Sequence, residues 1–202
     1  MDIERQFMEK CNTYSDIYQH LPILSHYSSQ CERIVECGMR SVVSSWAFAH
    51  GLLHNSSTVK ELISVDLDYS PNMEVLKQSC QKNNINFVFI MANDVKITLQ
   101  ECDLLFIDTW HIYGHLKREL ECHADKAKQY IILHDTTVDA DVGESIRCGF
   151  NVEQQAIESG YDVKEITKGL WPAVEEFLEQ HTEWVLEKRY TNNNGLTILK
   201  RL

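Results

Sequence analysis

Asp103-Leu-Leu-Phe-Ile-Asp-Thr-Trp-His111 decides how this chain is read. Leu104 to Ile107 is wholly apolar and short. A run like that, bounded by polar residues, suits a strand buried on both faces of a parallel sheet. It stops at Asp108, with Trp110 and His111 just beyond. In open α/β sheets ligands collect outside the carboxyl ends of the strands, so Asp108 and His111 stand where chemistry is expected. Tyr130-Ile-Ile-Leu133 repeats the pattern and ends in His134-Asp135. If the two strands are neighbours, Asp108, His111, His134 and Asp135 converge on one crevice.

Working outward, the same alternation recurs. Arg33-Ile-Val-Glu-Cys37 is a strand candidate, and Gly38 begins a turn. Ser44 to Leu53 reads as a helix capped by a serine near its start. Leu62-Ile-Ser-Val-Asp66 is a second strand ending in an acid. Pro71 is placed to open the next helix, with Met73, Val75 and Leu76 available for packing. Asn86-Phe-Val-Phe-Ile-Met91 is a third apolar strand, followed by Asn93-Asp94. Ile112 to Ala127 reads as an amphipathic helix between the fourth strand and the fifth. Residues 2–30 look helical, with Pro22 opening a second short helix. Gly169 to His181 is a further helix. Trp184 to Tyr190 and Leu196 to Lys200, joined through Asn194-Gly195, make a hairpin. Strands alternating with helices predict an α/β fold: a doubly wound, mostly parallel seven-stranded sheet closed by a C-terminal antiparallel hairpin. One domain is expected over 1–202, with N-terminal helices in 1–30, βα units in 31–135 and helices plus hairpin in 136–202.

The bulk properties narrow the function classes. A chain of 202 residues with 44% hydrophobic residues suits one α/β domain with a sizeable core. No apolar run approaches the ~18 residues of a membrane span, and the first residues lack a signal-peptide pattern. The formal net charge of -11 argues against a nucleic-acid backbone as partner. The seven cysteines are odd in number and form no CxxC, which reads as reduced thiols in a cytoplasmic protein. Among nine histidines the reading finds no HExxH or other helical histidine pair.

Five βα units closed by a hairpin, with acids at these strand ends, resemble the class I (Rossmann-like) S-adenosylmethionine-dependent methyltransferases. Glu36-Cys-Gly-Met-Arg-Ser-Val-Val-Ser44 looks like the family's acidic loop after the first strand. The resemblance implies that Glu36, Gly38, Arg40, Ser41 and Ser44 cradle the amino-acid end of the cofactor. It implies Asp66 on the ribose, Asn93 and Asp94 at the adenine, and Asp108 at the end of the fourth strand. Relatives usually carry a second glycine where this chain has Val42. Ile107-Asp-Thr-Trp-His111 and Leu133-His-Asp-Thr136 are similar to small O-methyltransferases, closest to the cephalosporin-hydroxylase-like and macrolide-sugar branch.

That resemblance implies methyl transfer to a hydroxyl of a small-molecule or glycan acceptor, a sugar such as rhamnose being favoured over a phenol or catechol. In catechol-type relatives two acids and an amide hold a divalent ion, and those positions map onto Asp108, His134 and Asp135. His134 in the middle suits manganese better than magnesium. With no metal, His111 or His134 takes the hydroxyl proton beside Asp108, so these three form the catalytic set. No nucleic-acid or membrane partner is expected, and a homodimer stays open. Two rivals stand: a dehydrogenase, which the missing Gly-x-Gly-x-x-Gly disfavours, and a methyltransferase-like module that binds without catalysis.

Overall fold

The computed structural model describes residues 2–202. The strands are β1 (Arg33–Cys37), β2 (Glu61–Asp66), β3 (Asn86–Met91), β4 (Cys102–Ile107), β5 (Ala127–His134), β6 (Trp184–Tyr190) and β7 (Leu196–Arg201). They form one sheet in the order β3-β2-β1-β4-β5-β7-β6. The first five pair in parallel; β7 runs antiparallel to both β5 and β6. This is the expected sheet. Strand order reverses beside β1, so a crevice opens at the carboxyl ends of β1 and β4.

The apolar strands are buried on both faces because helices cover both. Leu104 and Phe106 of β4 face one layer, and Leu105 and Ile107 face the other. The first layer is α1 (Ile3–Asn12), α2 (Leu21–Ser28), α3 (Val43–His54) and α4 (Met73–Lys82). Phe48 of α3 meets Phe106 edge-on, with ring centroids 5.2 Å apart. The second layer is α5 (Tyr113–His123) and α9 (Trp171–Gln180), which contribute Leu116, Leu120, Val174 and Phe177. Between β5 and α9 lie three short helices that the periodicity did not show: α6 (Glu144–Arg147), α7 (Val152–Ser159) and α8 (Val163–Thr167).

Several local expectations are corrected. Ser44 does not cap α3. The cap position is Val42, and the Ser44 hydroxyl instead donates to Glu36 at 2.5 Å. Pro71 lies in a turn closed by Met73 N–H to Ser70 O, two residues before α4 begins. The helix expected over 112–127 ends at His123, and β5 starts at Ala127 rather than Tyr130. Helical residues in 2–30 are interrupted between Asn12 and Tyr18.

Helices α2 and α3 cross at Gly51. A Cβ there would stand 1.8 Å from Ser28 Oγ and 2.5 Å from the Ser25 carbonyl. Alanine normally improves a helix interior by about 1 kcal/mol over glycine. Here the clash reverses the sign. Gly51→Ala is expected to destabilise the fold by about 1–3 kcal/mol, read as a lower urea midpoint at unchanged slope.

Candidate functional site

The cofactor-type loop follows β1. Gly38 takes φ +86°, and a Cβ on it would meet the Asp108 carbonyl at 1.9 Å. Only glycine tolerates both conditions. Its N–H donates to Val65 O, and Asp108 N–H donates to Cys37 O, each at 2.9 Å. The next two backbone N–H groups, of Met39 and Arg40, both donate to Asp66 Oδ2 at 2.7 Å. The loop closes through Val42 at φ +68°, the position where relatives place glycine. That conformation is strained for a β-branched residue, and full burial of the side chain holds it there.

A cavity of about 830 Å³ opens against this loop. Gly38, Arg40, Asp66, Asn93, Asp94 and Asp108 all line it, and so do Trp110, His115, Glu144 and Tyr161. Its size accommodates a nucleoside-sized ligand with room for an acceptor. A glycine loop, a strand-end acid and a second acid after β3 on one wall fit S-adenosylmethionine.

Glu36, Ser41 and Ser44, three of the predicted cofactor residues, stand outside the cavity lining. Glu36 is fully buried beneath the loop, accepting from Ser44, Ser45 and Ser64 hydroxyls at 2.5, 2.7 and 2.7 Å. Its carboxylate pins the start of α3 to the sheet. Ser44 is one of its donors, and Ser41 is exposed outside the cavity lining. The Arg40 guanidinium turns outward to Asp16 at 2.6 Å.

Asp94 and His115 line the cavity, and Glu119 is buried beside them, 3.7 Å from His115 Nε2. Burial pushes the Glu119 carboxyl well up. Burial acts the same way on Asp94, but hydrogen bonds from His115 and Glu119 outweigh it and hold Asp94 at about 2. His115 donates or accepts at Tyr161 Oη, 2.9 Å away, and Tyr161 stacks on Trp110 at 5.6 Å with Arg118 over its other face at 4.2 Å. Thus Trp110 is part of a cavity wall, whereas Tyr113 and Trp171 bond Glu176 and Glu175 away from it.

The crevice residues Asp108, His111, His134 and Asp135 do converge. His111 Nε2 lies 3.1 Å from both Asp108 Oδ1 and Asp135 Oδ2. His134 Nδ1 lies 3.3 Å from the same two oxygens. The other nitrogen of His111 meets Asp139 at 3.3 Å and Glu144 at 2.7 Å, and Arg147 closes the ring with two bonds to Asp139. Asp139, Glu144 and Arg147 were missed from sequence; the run of acids after β5 was their signal. His111, its side chain 15% exposed, does not itself line this cavity; it stands behind the lining acids Asp108 and Glu144, within 3.1 and 2.7 Å of them.

These charges fix protonation. Burial disfavours a charged His111, yet bonds to Asp108, Asp139 and Glu144 raise its pKa well above the ordinary value. Burial likewise opposes charge on His134, but Asp108 lifts it to about 10. Asp108, although buried, is held far below the carboxylate range by the two rings. The donor set does not suit magnesium, which takes oxygen ligands. Asp108, His111 and Asp135 bring ligand atoms within 4.8 Å of one another, and a softer ion there would compete with protons for the imidazole nitrogens.

No family model matches the chain, and no curated protein matches it. Solved structures do. A candidate caffeoyl-CoA O-methyltransferase from Staphylococcus aureus is 16% identical with a TM-score of 0.60, over 100% of this chain and 93% of that one. A Podospora anserina methyltransferase with bound S-adenosylhomocysteine is 12% identical at TM-score 0.58, over 99% and 87%. An O-methyltransferase from Bacillus cereus, also with S-adenosylhomocysteine, is 12% identical at 0.58, over 99% and 90%. The fold is that of the Rossmann-like methyltransferases. Among the described residues no helix is long and apolar enough to cross a membrane.

Glu36 generates a prediction. Burial raises its carboxyl to about 7, so the folded chain binds that proton more tightly than the unfolded one. Stability from this group is complete at low pH and is lost as pH rises from about 4.5 to about 7. Glu36→Gln lacks that loss. Between pH 5 and 8 it should gain on the wild type by on the order of 2 kcal/mol in urea unfolding; parallel curves would refute this.

Proposed function

We propose that this chain is an S-adenosylmethionine-dependent O-methyltransferase acting on a sugar hydroxyl, of a glycan or a glycosylated small molecule, with a deoxyhexose as the first candidate. The observation that carries the reading is the shared cavity. Its lining joins the Gly38 loop and Asp66 to Asp108 and Glu144, the two acids that hold His111 directly behind them.

Bound S-adenosylmethionine supplies an electrophilic methyl group on a sulfonium. The chain's own residues then have three tasks. The close-lying backbone of the Gly38 loop and the strand-end acids fix the donor. Trp110 and the polar residues Gln155, Glu158 and Ser159 of α7 line the same cavity, a mixture that suits a hydroxyl-rich ring with an apolar face. His111 would take the proton of the acceptor hydroxyl as that oxygen accepts the methyl group. Asp108 orients the ring and stabilises the imidazolium that results. The Trp110–Tyr161 stack also supports a second acceptor, a phenol of the kind named for the Staphylococcus aureus neighbour.

A base with a raised pKa works only when deprotonated, so turnover should climb with pH along a limb above neutrality. Glu144→Gln removes one carboxylate from His111 and should move that limb to lower pH. His111→Asn should lower turnover about 10²–10⁴-fold and abolish the limb. Turnover on a panel of deoxyhexosides and catechols, with and without chelator, tests all of this. With His111 as the base, chelation should leave the rate within about twofold. A collapse restored by manganese would assign Asp108, His134 and Asp135 to an ion instead.

A further inference from the structure

A second polar cluster lies far from the crevice, where α1 packs on α3. His50 and His54 are one helical turn apart, so their rings leave the same face of α3. This pair corrects the expectation that no helical histidine pair exists. Glu4 in the first turn of α1 faces both: its two carboxylate oxygens lie 2.9 Å from His50 Nε2 and 2.7 Å from His54 Nε2. The two rings are 4.6 Å apart and inclined by 60°.

We propose that Glu4, His50 and His54 bind a zinc-class divalent ion, with water completing the shell. Two imidazoles and one carboxylate are a zinc donor set, not a magnesium one. The three ligand atoms already lie within 4.8 Å of one another. Bonds of about 2.1 Å in a tetrahedral shell place donors roughly 3.3 Å apart, so a small rotation of Glu4 opens the site. Glu4 and His54 side chains, 44% and 53% exposed, are free to make it and leave an entry path.

His50 is fixed from behind, as metal-binding histidines are. Its Nδ1 lies 2.7 Å from Ser25 Oγ, and its ring stacks on Phe7 at 3.9 Å and 16°. The remaining nitrogen therefore points at the carboxylate without conformational search. The site ties α1 to the end of α3 opposite the cofactor loop, about 16 Å along the helix.

Zinc chloride titrated into chelator-treated protein, by calorimetry and by thermal unfolding, tests this, with cobalt(II) absorption reporting tetrahedral nitrogen–oxygen ligation. Wild type and Asp108→Asn should each bind one ion here and gain several degrees in unfolding midpoint; magnesium should give no shift. His54→Ala and Glu4→Gln should weaken binding more than tenfold and lose the shift. If wild type binds no zinc, the proposal fails. It fails equally if zinc binding survives His54→Ala and vanishes in Asp108→Asn, which would place the ion in the crevice.

Discussion

The structure turns on how closely the Gly38 backbone approaches Asp108. With a Cβ 1.9 Å from the Asp108 carbonyl excluded, the loop after β1 can lie directly against the end of β4. The same point ties three strands: Gly38 N–H reaches Val65 of β2, and Asp108 N–H reaches Cys37 of β1. Asp66 then gathers the next two N–H groups of the loop on one carboxylate oxygen. A donor held by this loop is thereby placed beside the acids of β4 and β5. Any side chain at residue 38 would separate the two halves of the cavity.

The second organising feature is compensated burial of charge. Acids that would be costly alone are each given a different partner. Glu36 receives three serine hydroxyls, Asp94 faces the His115 ring, and Asp139 takes the fork of Arg147. Around His111 the compensation is most concentrated, with a carboxylate pair on each ring nitrogen. That arrangement holds the ring in one orientation and sets the pH at which it can accept a proton.

Much of this was legible in the sequence because strands buried on both faces announce themselves as apolar runs ending in acids. Asp66, Asp94 and Asp108 could be placed from that pattern, and so could the convergence of His111, His134 and Asp135. The role of Glu36 could not: its partners Ser45 and Ser64 come from a helix start and a neighbouring strand. Ser44 looked like a cap, since nothing local shows a buried carboxylate competing for its hydroxyl. Helices α6 to α8 are too short to display a 3.6-residue period, so Glu144 and Tyr161 were lost with them. His50 and His54 were visible at helical spacing, but their third partner, Glu4, is 46 residues before His50.

The most direct test of the account is calorimetric titration of the wild type and of Gly38→Ala with S-adenosylhomocysteine, with circular dichroism confirming that the variant folds. Micromolar binding by the wild type, weakened more than tenfold in folded Gly38→Ala, is the predicted result. A wild type that binds no S-adenosylhomocysteine would contradict the account and leave a methyltransferase-like fold serving another purpose.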